Sequence, residues 1–153
     1  MSEFFTEPDL VSIEANIDHW LMQFKSENPA ILAVDRDEGD VLRWYVRLAG
    51  EEKEFTTVWL TLGQRTLKYE TYVMPWPPEN RDAVYESILR ANDTLTGVHF
   101  SIGDEDAIYL RGELVLTALN GDELDRIIGT CYFTVERYFP ILLRLAFASR
   151  FQS

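Results

Sequence analysis

The chain has 153 residues, of which 46% are hydrophobic and 26% charged, a composition typical of one soluble globular domain. Its 14 basic and 26 acidic side chains give a formal net charge of −12. Because nucleic-acid binding depends largely on Lys and Arg that neutralise phosphates, this charge makes DNA and RNA poor candidates for a partner.

Cysteine usage and hydropathy indicate the compartment. Cys131 is the single cysteine, so no internal disulfide can form, which fits a reducing environment. The segment from Met1 to Pro8 contains Glu3 and Glu7 and lacks the positive and apolar regions of a signal peptide. No segment approaches the roughly 20 apolar residues of a membrane span. We therefore expect a cytoplasmic protein with no membrane partner.

A first helix is predicted from about Pro8 to Ser26. Pro8 suits the first turn of a helix, and Pro29 lies beyond its end. Apolar residues recur at steps of three and four, which gives one apolar helix face: Leu10, Ile13, Ile17, Trp20, Leu21 and Phe24.

Three strands are predicted next, from Val41 to Leu48, Phe55 to Leu62 and Thr66 to Met74, because their side chains alternate with a period of two. The polar breaks between them are short, so a meander of antiparallel hairpins is the simplest arrangement. The segment from Ala30 to Asp35 can add a short strand before them.

A second helix and another hairpin follow. Three prolines in the segment from Met74 to Pro78 exclude regular structure there. A helix is predicted from about Glu79 to Thr94. Gly97 follows this helix, and a hairpin is predicted after it, from Val98 to Leu116.

The last helix is predicted to begin at Asn120, an N-cap with Glu123 as its capping-box partner. Pro140 lies inside the apolar pattern of this helix and should kink it. Residues 1–153 are therefore expected to form a single α+β domain. It has an antiparallel sheet with helices packed on one face, in the order α-βββ-α-ββ-α.

Four local patterns carry a resemblance to a known family. They are a helix ending in Ile88-Leu89-Arg90-Ala91-Asn92, a hairpin from Gly97 to Leu116, an acidic helix start at Asn120-Gly121-Asp122-Glu123-Leu124-Asp125, and the aromatic pair before proline in Tyr138-Phe139-Pro140. With these patterns the segment from Glu79 to Leu143 resembles the YbjN family, bacterial proteins described as sensory-transduction regulators. The fold of that family looks like that of the type III secretion chaperones. The resemblance implies no catalytic residues, because the family has no agreed chemistry.

No catalytic, cofactor-binding or metal-binding residue is predicted, since no enzyme or nucleotide-binding motif occurs. The acidic run from Asp35 to Asp40 lacks EF-hand spacing, because its glycine stands fifth and Val46 stands twelfth. We interpret it as a solvated turn. Cys131 is expected to be a small buried hydrophobic residue, and His19 and His99 to lie at the surface or at an edge.

Trp44, Trp59 and Tyr69 are the candidate partner-binding residues. Each lies on a predicted strand of a sheet that is expected to have helices on one face. If all three lie in the core, they are ordinary packing. If some lie on the open face, they form an aromatic patch of the kind that partner sites favour.

These observations favour a non-enzymatic cytosolic protein without a cofactor. The expected partner is a protein or peptide segment, held by a chaperone-like or regulatory module, with a homodimer as one option. The alternative is a domain that senses a small molecule in a closed apolar pocket between the sheet and the last helix.

Overall fold

A computed structural model of the chain describes residues 5–151, apart from the side chain of Pro8. The segment from Met1 to Pro8 was interpreted above as lacking the features of a signal peptide. Its first four residues lie outside the described range. In chain order the helices and strands are α1 (Glu7–Glu27), β1 (Ile31–Arg36), β2 (Arg43–Ala49), β3 (Phe55–Leu62), β4 (Thr66–Met74), α2 (Arg81–Asn92), β5 (His99–Ile102), β6 (Ile108–Val115) and α3 (Gly121–Ala146).

Within residues 5–151, six strands form one antiparallel sheet in the order β1-β2-β3-β4-β6-β5. The predicted α+β class is confirmed. The segment from Ala30 to Asp35, left open by the sequence, contributes β1, so four strands precede α2. The chain passes from β4 to α2 through the predicted irregular segment after Met74.

Alternating side chains on the central strands separate a buried face from an outward one. The buried set of β2, β3 and β4 packs against the helices and comprises Trp44, Val46, Leu48, Thr56, Val58, Leu60, Leu62, Leu67, Tyr69, Thr71 and Val73. This alternation follows from strand geometry, in which successive side chains point to opposite faces.

The three α-helices found within residues 5–151 lie on that buried side: α1 contacts β1, α2 contacts β5, and α3 contacts β3 and β4. Buried apolar side chains of α3 fill its interface with the sheet, including Leu124, Ile127, Ile128, Cys131 and Val135. None of the helices in the described part of the chain is long and apolar enough to cross a membrane.

The start of α3 forms only half of the predicted capping box. The Asn120 side chain accepts a hydrogen bond from the Glu123 backbone N–H at 2.9 Å, as expected of an N-cap. The Glu123 carboxylate pairs instead with the Arg126 guanidinium at 2.7 Å. Farther along, α3 continues through Pro140 to Ala146, and a kink at this proline stays a prediction.

Candidate functional site

The sheet face opposite the helices is covered by no helix of residues 5–151, and we call it the open face. Its outward side chains come from β2, β3, β4 and β6 and include Arg43, Tyr45, Arg47, Phe55, Trp59, Thr61, Lys68, Glu70, Tyr72, Tyr109, Arg111 and Glu113. Residues of this set stand opposite one another across neighbouring strands, so they form one continuous surface.

Aromatic rings occupy the middle of the open face. Tyr45 and Trp59 are register partners, and their rings meet edge to face with centroids 5.4 Å apart. Tyr72 and Tyr109 repeat this arrangement on β4 and β6 at 5.8 Å. Trp59 keeps 38% and Tyr72 keeps 42% of its surface exposed. Large aromatic groups that stay in water on a flat surface are typical of binding surfaces, where Trp and Tyr are enriched.

Guanidinium groups lie over these rings. The Arg43 Cζ is 5.5 Å from the centroid of the Trp59 ring, and the Arg47 Cζ is 3.8 Å from that of Phe55. The ring faces attract the cations and hold the long arginine stems against the sheet. The open face is therefore a set of aromatic rings with positively charged groups resting on them.

The charge of the open face differs from that of the whole chain. Arg111 donates to the Glu70 carboxylate at 2.7 Å, which neutralises both groups. In contrast, no carboxylate among the described residues lies within the 4.0 Å of an ion pair from Arg43, Arg47 or Lys68. Glu113, the register partner of Lys68, also lies on the open face, so among the described outward side chains Arg43, Arg47, Lys68 and Arg111 face only Glu70 and Glu113 there. In a chain of net charge −12, a surface on which cations outnumber carboxylates is a local exception.

Of the three aromatic residues predicted from sequence, only Trp59 lies on the open face. Trp44 is fully buried, and its indole N–H donates to the Asp18 carboxylate at 2.7 Å. Tyr69 is 3% exposed, and its hydroxyl donates to the Gly97 carbonyl at 2.6 Å. Trp44 and Tyr69 are therefore core residues in this fold, because they share the inward register of their strands.

Sequence reasoning missed several members of the open face. The signal was present, since Arg43, Tyr45 and Arg47 alternate with Trp44 along β2. A period of two separates the two sets without indicating which of them faces the helices. Tyr109 could be joined to this surface only once β4 and β6 were known to pair.

The remaining titratable candidates lie where the sequence predicted. Cys131 is fully buried, and burial raises the pKa of its thiol to about 12, which opposes formation of a reactive thiolate. His19 and His99 are exposed. The predicted acidic turn is held by Asp37, whose carboxylate accepts bonds from the Gly39 N–H and the Tyr45 hydroxyl. These two bonds lower the Asp37 pKa.

Two other expectations concern ligands. Across residues 5–151, no three His, Cys, Asp or Glu side chains converge as the ligands of a metal ion would. The interface between α3 and the sheet, where the small-molecule alternative expects a pocket, is occupied by the packed side chains of α3. That alternative therefore gains no structural observation in its favour.

Solved structures define the class of fold. The chain is similar to a chain of the ExsC–ExsE complex, with a TM-score of 0.62, 14% identity and coverage of 84% of this chain and 95% of the other. It is also similar to a chain of the ExoU–SpcU complex from the type III secretion system of Pseudomonas aeruginosa, with a TM-score of 0.54, 18% identity and coverage of 81% and 95%. The fold is that of the type III secretion chaperones, as predicted.

Sequence comparison then gives the family. The family model described as "YbjN: Putative bacterial sensory transduction regulator" matches residues 15–144, and the chain belongs to this family. It is 37% identical over 107 residues to an uncharacterized protein of Mycobacterium bovis, covering 70% of this chain and 58% of that protein. An uncharacterized protein of Mycobacterium leprae is 35% identical over 112 residues, covering 73% and 61%. The chain thus spans less than two-thirds of the length of these relatives.

Proposed function

We propose that this chain is a chaperone-like module that binds a segment of another protein on its open face, without catalysing a reaction. The observation that carries the proposal is the pair of exposed aromatic residues Trp59 and Tyr72 on a sheet face that no helix of the described residues covers. Burying such rings against a partner removes apolar surface from water at roughly 25 cal/mol per Å².

The fold comparisons support a protein as the ligand. The similar chains come from complexes of two proteins, ExsC with ExsE and ExoU with SpcU. A shared fold is a weak argument for a shared function, so the proposal depends on the surface of this chain. The lack of a reactive thiol and the separation of the two histidines in sequence favour binding over catalysis.

We place this activity in the cytoplasm, as the single buried Cys131 and the absence of a disulfide would suit. The proposal also leaves the number of copies of the chain that bind one segment to be measured. Light scattering on the purified complex gives its mass and therefore its stoichiometry.

The test is affinity capture of the tagged chain from lysate of its source cells, with mass spectrometry of what is retained. The wild type is compared with the double variant Trp59→Ser, Tyr72→Ser, and with a control in which two exposed apolar residues of the helices, Leu89 and Phe133, become Ser. We expect a stoichiometric protein that the open-face variant loses and the control keeps. A partner retained equally by both variants, or no specific partner for the wild type, would overturn the proposal.

A further inference from the structure

We infer that the segment bound by the open face is acidic and extended, with carboxylates three or four residues apart. This inference rests on the proposed function and adds the chemistry of the partner. It begins from the three cations of the open face that have no carboxylate within ion-pair distance among the described residues: Arg43, Arg47 and Lys68.

The grouping of these three cations on one sheet face is informative because carboxylates are abundant in this chain. Acidic side chains outnumber basic ones 26 to 14. One arginine elsewhere, Arg36, is paired: it contacts Glu14 and Asp18 at 2.9 and 3.1 Å. Charge complementarity therefore assigns carboxylates of a partner to the open face.

Contacts of the two arginines hold their guanidinium groups in place without an ion pair. The Arg43 Nε donates to the Thr61 hydroxyl at 3.0 Å, while its guanidinium lies over Trp59. Arg47 is exposed with its guanidinium over the Phe55 ring, and Lys68 is exposed. A cation held in place by a ring loses less side-chain freedom when a carboxylate binds to it.

Sheet geometry sets the spacing. Arg43 and Lys68 are both register partners of Thr61, so they stand two strands apart, about 10 Å. Arg43 and Arg47 are four residues apart on β2, which is about 13 Å along the strand. In an extended peptide, three and four residues span about the same distances. The half-buried Tyr45 lies between Arg43 and Arg47 on β2, with the exposed Trp59 ring beside it on β3, and these rings favour an apolar residue between the carboxylates.

The net charge of −12 favours a short acidic protein segment over a nucleic acid. A polynucleotide carries a phosphate at every residue and extends beyond the open face, where it meets the acidic remainder of the chain. At physiological salt the interaction between exposed charges is screened within about 8 Å, so a short segment interacts mainly with the cations that it touches.

The test is selection from a phage-displayed library of random peptides of about twelve residues, long enough to span either pair of cations, Arg43 with Arg47 or Arg43 with Lys68. The full chain is the target, and selected peptides are then measured by fluorescence polarisation at low and physiological salt. We expect enrichment of peptides with acidic residues three or four apart, and affinity that falls as salt rises.

Charge variants decide which surface binds these peptides. The triple variant Arg43→Gln, Arg47→Gln, Lys68→Gln should weaken binding at least about tenfold. The matched control Arg90→Gln, Arg144→Gln, Arg150→Gln removes three exposed positive charges outside the open face and should leave binding unchanged. Circular dichroism and melting temperature establish that both variants are folded.

Other outcomes separate this inference from the proposed function. If the selected peptides are uncharged or basic and their binding depends on Trp59, the inference of an acidic partner is wrong. The proposed binding of a protein segment to the open face would still hold. Enrichment that survives the open-face triple variant, or no enrichment at all, would overturn the inference. An RNA oligonucleotide of about twelve residues that binds more tightly than the selected peptides would also overturn it in favour of a nucleic-acid partner.

Discussion

Asn92 pairs with both backbone groups of Phe100. Its side-chain carbonyl accepts a hydrogen bond from the Phe100 N–H at 2.7 Å, and its amide donates to the Phe100 carbonyl at 3.1 Å. β5 is an edge strand, with a neighbouring strand on one side only. The Asn92 side chain at the end of α2 thus supplies the two hydrogen bonds that a second neighbouring strand would make with Phe100. This contact gives a structural role to the asparagine in the Ile88–Asn92 pattern that carried the family resemblance.

Replacing Asn92 with Ala should lower the free energy of unfolding by about 1–3 kcal/mol, because two partly buried backbone groups lose their partners. Urea unfolding followed by circular dichroism measures the change. Asn16→Ala, an exposed position on α1, is the control and should stay near the wild type. Equal stability of the Asn92 variant and the wild type would mean that the pairing with Phe100 contributes nothing.

Trp44 and Trp59 should respond very differently to Ala. Trp44→Ala removes a fully buried side chain and should cost about 3–5 kcal/mol of unfolding free energy. Trp59→Ala removes a half-exposed ring and its contacts with Tyr45 and Arg43, so about 1 kcal/mol or less is expected. Denaturant titrations of both variants measure the difference, and similar costs would contradict the assignment of the two faces.

Gly112 and Gly129 should respond in opposite directions to Ala. A Cβ at Gly112 would collide with the Gly97 carbonyl and the Tyr69 ring, so Gly112→Ala should destabilise by about 1–3 kcal/mol or more. A Cβ at Gly129, inside α3, meets no atom of the described residues within 4 Å apart from its chain neighbours and the adjacent backbone of its own helix. Gly129→Ala should therefore stabilise by about 0.5–1 kcal/mol through helix propensity. Thermal melts of the pair check the signs, and a neutral Gly112→Ala would be inconsistent with this packing.

Glu136 of α3 holds the loop between β2 and β3. Its carboxylate accepts hydrogen bonds from the backbone N–H groups of Glu51, Glu52 and Lys53. Glu136→Gln replaces one acceptor oxygen with a donor and should cost about 1–3 kcal/mol. Hydrogen exchange of the three loop amides should accelerate in this variant, and Glu54→Gln at an exposed neighbouring position should leave them unchanged. Unaltered exchange in Glu136→Gln would show that the carboxylate does not order the loop.

Cys131 should make stability fall at alkaline pH. Burial raises its pKa from an ordinary value of 9.0 to about 12, so between these values the folded state holds a proton that the unfolded state releases. The stabilisation from the neutral thiol is complete below pH 9 and decreases as pH rises towards 12. Cys131→Ala should have a lower free energy of unfolding at neutral pH and a shallower decline above pH 9. Urea titrations across this range measure both slopes, and parallel slopes would rule out the effect.

Local patterns were enough to predict the elements. Periods of three to four residues indicated α1, and a period of two gave β3 and β4 with their observed bounds, Phe55–Leu62 and Thr66–Met74. The prolines after Met74 correctly indicated the break between the sheet and α2. These features depend on backbone geometry within a few residues, which is why the sequence alone determined them.

Tertiary structure decided which aromatic residues meet water. Trp44, Trp59 and Tyr69 look alike in sequence, since each is an aromatic residue in an alternating strand. Only the packing of the helices against one side of the sheet placed Trp44 and Tyr69 in the core and left Trp59 exposed. The open face also joins residues from four strands whose pairing is nonlocal. Alternation fixes two opposite faces, but which face is buried depends on contacts between segments far apart in the chain.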